Sequence, residues 1–325
     1  VHIHGTEYSH GFAYTEACGN LKVVVSIQGM KSGIAPYYCA GLSRKDIYGS
    51  LTFRDIIKSS IYRRQCSFYE YGRLEKAFLH SVNHIIGRTS WDRAHVWAIN
   101  PNANYYVCNE TLRSEFYDGL LWNYDNCVPY TIFLSQGSYP LKGLHQLLKA
   151  MPLILRHFPD TKIRIAGNDI TKNKGVRGLL YLTGYGRFVR NLIKKYNLSD
   201  RVEFLGPLNA AQMMNEYLRC NVFICPSSVE NSPNSLGEAQ ILGVPCIASY
   251  VGGVPDFMQG NERYMYRFEE TEMLAYKTVE LFRSKGDINT DIMRKHALIR
   301  HNIKNNVLQL LNIYRVVNMN NTLMS

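Results

Sequence analysis

Three features of the 325-residue sequence predict an α/β protein made of two doubly wound parallel-sheet units. Short apolar runs alternate with stretches of helical period along nearly the whole chain. The alternation breaks near 123–131 (NYDNCVPYT) and then resumes as a second, cleaner series. At 46% hydrophobic residues the chain can bury one large core or two ordinary ones, and two suits the break.

In the first series, Val1-His2-Ile3-His4 has the pattern of a strand end released into Gly5-Thr6-Glu7. A helix-like stretch precedes the apolar run 21–29 (LKVVVSIQG), a second buried strand. Residues 51–80 carry helical period, and 84–87 (HIIG) form a short strand ending in the loop GRTSWD. A helix over 91–99 and a strand within 102–110 (NANYYVCNE) follow. Strands separated by helices imply parallel sheets covered on both faces.

In the second series the pattern predicts strands at 131–134, 162–166, 202–205, 221–225 and 245–249. The helices are predicted at 144–158, 187–197, 210–219 and 234–242, the last stopped by Gly243 and Pro245. Residues 290–317 carry the pattern of one long basic helix. The expected units are therefore 1–126, 127–289 and a C-terminal helix and tail, 290–325, packing back on the first unit. Ligands of such sheets lie in the crevice at the carboxyl ends of the strands.

Composition excludes several classes. Charged residues make up 19%, and 24 Gly with 11 Pro give no sign of disorder or repetition. No window approaches 18 consecutive apolar residues, and the first residues lack a secretory pattern, so a soluble, cytoplasmic protein is expected. The eight cysteines form no CxxC pair and suit a reduced thiol set. The ten histidines show no zinc spacing, and no metal is expected.

The net charge of +11 calls for an anionic partner or a solubility explanation. No nucleic-acid module signature accompanies it, so a nucleoside diphosphate or an acidic membrane surface is the better match. Residues 43–76 hold eight cations and four carboxylates, interleaved with Phe53, Ile56, Ile57, Tyr62, Phe68 and Tyr69. That pattern fits either an interfacial segment on anionic lipid or a solvated basic face over an ordinary core.

The stretch 221–256, NVFICPSSVENSPNSLGEAQILGVPCIASYVGGVPD, concentrates the chemistry. A buried strand ends in a Ser-rich turn, Glu230 sits in the loop, Pro233 opens a helix and Glu238 falls on its second turn. Such a helix start aims free N–H groups and a positive dipole end at the crevice, which suits a pyrophosphate. A carboxylate further along can accept from a ribose diol.

This segment resembles the Glu-x7-Glu motif of the retaining glycosyltransferases of family 4, which have the GT-B fold of two Rossmann-like domains around a cleft. The likeness is strongest over 131–260. It implies that Glu238 holds the ribose hydroxyls, that Glu230 contacts the donor sugar, and that the amides from Ser232 through Pro233 and Asn234 to Ser235 approach sugar and phosphate. Gly252 and Gly253 match the family's glycine turn, with Asp256 where Glu is common. The stretch QGSYPLKGLHQLLKA matches its Lys-Gly loop, so Lys142 would meet the diphosphate. Gly137 stands where the family has an arginine, and Ser138, a backbone nest or another basic residue would substitute. Arg88 could supply that charge across the cleft, or be an ordinary surface arginine. His4 resembles the histidine near the sugar's reactive carbon, and a neutral core histidine is the other reading. Backbone around Gly206 would face the base.

The resemblance implies an enzyme moving a hexosyl unit from a UDP- or GDP-sugar to a glycan or lipid-linked hydroxyl, with retention and without metal or cofactor, in surface polysaccharide or glycolipid synthesis. The first unit would be the acceptor side and the second the donor side. Peripheral contact with the inner face of the plasma membrane would accompany a lipid-linked acceptor. It also implies that opening strands and a Gly-rich loop precede residue 1, leaving an unpaired strand edge. A nucleotide-sugar-binding subunit or truncated inactive fragment is the alternative, and a sugar epimerase a further one.

Overall fold

The computed structural model describes residues 1–19, 22–117, 119–172 and 181–319. Leu21 of the run 21–29, with 173–180 and 320–325 of the later units, lies outside them. Every strand ladder among the described residues is parallel.

The first sheet holds β1 (His2–His4), β2 (Val24–Ser26), β3 (His84–Gly87) and β4 (Asn104–Val107), in that spatial order. Its register pairs Ile3 with Val25, Val25 with Ile85 and Ile85 with Tyr105. Around it lie α1 (Ser9–Cys18), α2 (Lys31–Ile34), α5 (Ile61–Ser81) and α6 (Ser90–Ile99), while α3 (Arg44–Gly49) and α4 (Phe53–Ile57), between α2 and α5, pack on the second unit. One face packs Ile3, Val25 and Ile85 on Phe78 and Leu79 of α5. β1 is an end strand, and its edge carries two histidines around the buried Ile3 rather than an apolar run.

The second sheet holds β5 (Thr131–Leu134), β6 (Lys162–Ile165), β7 (Val202–Phe204), β8 (Val222–Cys225), β9 (Cys246–Ser249) and β10 (Met265–Tyr266). Their order is β10-β9-β8-β5-β6-β7, winding outward from β5 in both directions. β5, β8 and β9 are buried at every position, which is why they are continuous apolar runs without alternation. Cys220, Cys225 and Cys246 are buried free thiols here, filling space as small hydrophobes. The covering helices are α7 (Leu144–His157), α8 (Gly184–Lys195), α9 (Ala210–Arg219), α10 (Asn234–Ile241), α11 (Val254–Phe257) and α12 (Thr271–Arg283).

Three helical expectations need correction. Residues 51–80 are not one helical run, because Thr52 and Ser60 each cap a new helix through their hydroxyls and break it at 58–60. The helix expected at 187–197 starts at Gly184, where Thr183 Oγ1 accepts from the Gly186 amide at 2.9 Å. The tail is two helices, α13 (Asp291–Arg300) and α14 (Ile303–Met319). Between them Asn302 caps α14, its Oδ1 accepting from the Asn305 amide at 2.9 Å, and His301 turns into the core. After this break α14 crosses to the first sheet, where Ile313 and Val317 pack on Val24 and Ile86.

Residues 35–61 bridge the sheets. Tyr38, Leu42, Ile47 and Ile61 join the core of the second sheet, and Thr52 Oγ1 donates to the Leu182 carbonyl at 2.8 Å. Buried His145 on α7 closes the seam, Nε2 donating to the Ala40 carbonyl at 2.9 Å and Nδ1 accepting from the Tyr185 hydroxyl at 3.1 Å. Burial lowers its pKa to about 4, and that of His301 likewise.

Both imidazoles thus stay neutral in the folded chain where the unfolded chain, with a value near 6.5, takes up protons. Their contribution is complete above that value and is lost as pH falls towards about 4. Urea midpoints measured between neutral and acidic pH should therefore fall on acidification. His145→Gln should flatten that slope, and a parallel slope would remove His145 from the account.

Candidate functional site

The strand order reverses between β5 and β8, and a crevice opens outside the carboxyl ends of these neighbours. The loop after β5 carries Lys142 and the loop after β8 carries Glu230. Lys142 Nζ lies 2.5 Å from Glu230 Oε1, which also accepts from Ser227 Oγ at 2.7 Å. Both side chains are mostly buried. Burial alone would push the Lys142 ammonium down, but the facing carboxylate outweighs it and its pKa is raised.

Glycines bring the two loops together. Gly143, at φ +67°, caps α7, and a Cβ there would stand 1.6 Å from the Pro226 carbonyl oxygen. Gly252, at φ +50°, has the Glu230 carbonyl oxygen 2.0 Å from where its Cβ would be. The Gly253 amide donates to that same carbonyl at 2.9 Å. Only glycine permits these approaches. Asp256 of the same turn reaches the other half, where Oδ2 accepts from the Ser90 amide and hydroxyl at 2.8 Å each, at the start of α6.

Glu238 lies on α10, its side chain 7% exposed. Arg113 grips Oε1 through Nε and Nη2, each at 2.9 Å, while Oε2 has, among the described residues, only a long contact to the Tyr217 hydroxyl at 3.4 Å. Burial raises its pKa, and Arg113 opposes that. α10 begins at Asn234 with Pro233 as its cap, so the amides of Asn234 and Ser235 precede its internal ladder. Ser232 and Ser235 are half-buried and Asn234 is exposed.

The remaining predicted positions lie around this centre. Arg88 is buried, and its Nη2 meets Glu110 Oε1 at 2.5 Å. Glu110 Oε2 accepts from Asn234 Nδ2 at 3.0 Å, so Arg88 addresses the start of α10 through a carboxylate. Gly137 is buried, and a Cβ there would meet Leu144 Cδ2 at 2.9 Å, so a larger side chain would require Leu144 to shift. Ser138 is half-buried and accepts from Gln136 Nε2 at 3.4 Å. Gly206, at φ +79°, bridges to Gly167 with open space where a side chain would be. His4 is exposed at the end of β1, its ring 3.9 Å from that of His2. The Gln28 carbonyl after β2 accepts from Asn231 Nδ2 at 3.4 Å, which joins that rim to the Glu230 loop.

A cavity of about 580 Å³ lies between the halves, lined by Tyr37 and Trp91 from one and Val229, Tyr250, Gly252 and Phe268 from the other. Its lining residues Ser228 and Val229 immediately precede Glu230 in the chain. Glu110, Arg113 and Phe268 were not legible as site residues, because each acquires its partner across the fold, and Trp91 and Tyr250 carry no local signal that they line a cavity. Among the described residues no group of three or more His, Cys, Asp or Glu could hold a metal ion, and no helix is long and apolar enough to cross a membrane.

The sequence profile of glycosyl transferases group 1 matches residues 128–296, just over half of the chain. The chain belongs to this family. Over 143 residues, 44% of the chain, this group 1 member is 28% identical to the phosphatidylinositol N-acetylglucosaminyltransferase gpi3 subunit of Schizosaccharomyces pombe, covering 28% of that protein. It is 27% identical over 150 residues to a GDP-mannose-dependent monoacylated alpha-(1-6)-phosphatidylinositol monomannoside mannosyltransferase of Corynebacterium glutamicum, covering 44% of the chain and 35% of the relative. The chain thus spans about a third or less of these relatives' length.

Among solved structures, sucrose-phosphate synthase from Thermosynechococcus elongatus superposes with a TM-score of 0.69 at 18% identity, covering 97% of this chain and 73% of that one. Anabaena HepE in complex with UDP-glucose gives 0.65 at 14%, covering 96% and 75%. At these identities the likeness speaks for the fold, which is GT-B.

Gly143→Ala should destabilise this group 1 domain by roughly 1–3 kcal/mol, since the left-handed backbone and the Pro226 carbonyl both resist a methyl group. Urea unfolding of the variant against the parent measures it, and an unchanged midpoint would mean that the two loops can part freely.

Proposed function

We propose that this chain transfers a hexosyl unit from a nucleoside-diphosphate sugar to a hydroxyl acceptor, with retention of anomeric configuration and without a metal ion. The observation that carries this reading is the Lys142–Glu230 pair at the switch point, with Glu230 on the loop that runs from the cavity-lining Val229 into the start of α10. The diphosphate would lie against the Asn234 and Ser235 amides, with Lys142 meeting the charge that grows as the sugar–phosphate bond breaks. Arg113 occupies Glu238 Oε1, so Oε2 is the oxygen that would accept from the ribose diol. Glu230 would accept from the donor sugar, and the Gly206 backbone would face the base. In a front-face substitution the acceptor oxygen bonds to the anomeric carbon as the diphosphate leaves, and a diphosphate oxygen takes the acceptor's proton. Positioning in a closed cleft would supply most of the rate.

The units 1–126 and 127–289 would then serve as acceptor and donor sides, with 290–325 tying them. Both relatives named above carry phosphatidylinositol-type acceptors in their names, which supports a glycolipid or lipid-linked glycan acceptor. The free thiols suit a reducing compartment and hence the cytoplasmic side.

Labelled UDP- and GDP-sugars incubated with lipid-extract acceptors should yield labelled product whose anomeric configuration, read by NMR, matches the donor. Saturable donor binding without transfer would instead make the chain a binding subunit. Glu238→Ala should weaken nucleotide binding by roughly 1.5–3 kcal/mol in calorimetry, as charge-assisted bonds are lost. Glu230→Gln should lower kcat far more than nucleotide affinity, and equal effects on both would end the division of roles between the two acids.

A further inference from the structure

Outside the cleft, one surface carries side chains that the proposed reaction does not use. On α4, Phe53, Ile56 and Ile57 recur at helical spacing and are 57%, 66% and 58% exposed. On α5, Tyr62, Tyr69, Arg73 and Lys76 fall on one exposed face. Arg63 Nη1 donates to the Ile56 carbonyl at 3.5 Å, which joins the two helices into one surface.

Burial sorts the charge on this surface. Residues 43–76 include eight cations and four carboxylates. Asp55 and Glu75 are buried, turned inward to cap backbone. Asp55 accepts from the Thr52 amide at 2.9 Å, and Glu75 from the Ser32 and Lys31 amides at 2.7 and 3.2 Å. Asp46 is half-buried in the capping box of α3, which leaves Glu70 as the exposed acid. Arg44, Lys45, Lys58, Arg63, Arg73 and Lys76 are all exposed, and none forms an ion pair among the described residues. The outward face is therefore far more basic than its composition suggests, and its exposed apolar side chains stand among the cations.

We propose that α4 and the outer face of α5 dock this protein on an anionic lipid bilayer. Phe53, Ile56, Ile57 and Tyr62 enter the headgroup–acyl boundary, and Lys58, Arg63, Arg73 and Lys76 meet lipid phosphates. Apolar burial and attraction to anionic headgroups are the two forces that hold an interfacial helix. A protein partner would need a matched acidic, apolar surface, whereas a bilayer supplies both in any orientation. This inference does not depend on the donor chemistry, and its test reads no activity.

The full chain is sedimented with vesicles of phosphatidylcholine alone, or of phosphatidylcholine with about 30% phosphatidylglycerol. Binding to the anionic vesicles alone, weakened by raised salt, is expected. Phe53→Ser/Ile56→Ser/Ile57→Ser and, separately, Arg63→Gln/Arg73→Gln/Lys76→Gln should each lower vesicle affinity at least tenfold with unchanged thermal midpoints. Lys194→Gln/Lys195→Gln, on α8 of the second sheet, should leave it unchanged. Equal loss in that control would make the attraction a matter of net charge and overturn the proposal, as would equal binding to neutral vesicles. A concentration-dependent dimer abolished by the apolar triple variant, with no vesicle binding by the parent, would assign the face to a second copy and overturn it too.

Discussion

The contact between Lys142 and Glu230, beside the Ser228 amide that donates to the Leu141 carbonyl at 2.8 Å, holds together the loops after β5 and β8 that border the cleft. A mostly buried ion pair returns little net stability, because both charges lose water to make it. Its effect is positional. Removing either partner would strand the other in a place poor in water, so the two loops hold together even though the pair itself adds little. Gly143 and Gly252 let the backbones approach closely enough for the pair to form: the first presses on the Pro226 carbonyl and the second on that of Glu230. From there the arrangement propagates to α10, whose first amides and Glu238 follow the same loop.

The two halves meet through two kinds of contact. Along residues 35–61 the contact is apolar and continuous with the second core, sealed by a neutral buried histidine. Around the starts of α6 and α10 it is polar. Asp256 caps α6, Thr89 Oγ1 donates to Asn231 Oδ1 at 2.8 Å, and Glu110 takes both Arg88 and Asn234. Polar groups regain water when they part, so the second kind of contact separates more easily than the first. Relative movement of the halves would therefore turn about the 35–61 seam and open at the helix starts, which is the side that carries the candidate site. His301 reinforces the second kind, since it donates to the Glu110 carbonyl at 2.8 Å and packs against Gly237 of α10.

How much of this the amino-acid order discloses depends on the range of the interaction. The strand at 131–134 and the helices at 144–158 and 210–219 were legible almost to the residue, because local period and caps decide them. The break at His301 was not, since nothing nearby shows that its imidazole finds Glu110, 191 positions away. Arg113 escaped notice for the same reason, its carboxylate lying 125 residues on. The Asp at 256 looked like a departure from a pattern, and the fold gives it a partner of its own in Ser90. Gly137 was visible as an omission, whereas the side chain of Leu144 packed against it could be seen only in three dimensions. Burial of Asp55 and Glu75 was likewise hidden, so a charge count could not separate a docking face from a solvated one.

A diphosphate would join the Lys142–Glu230 pair rather than displace it. The ammonium has three N–H donors and gives one to Glu230 Oε1, so the others remain for phosphate oxygens. Oε1 of Glu230 already accepts from Lys142 and Ser227, and Oε2 is the oxygen that a sugar hydroxyl would reach. The carboxylate would then fix the ammonium for the phosphate with one oxygen and receive the sugar with the other, so the pair couples the two ends of the donor without either charge losing its partner.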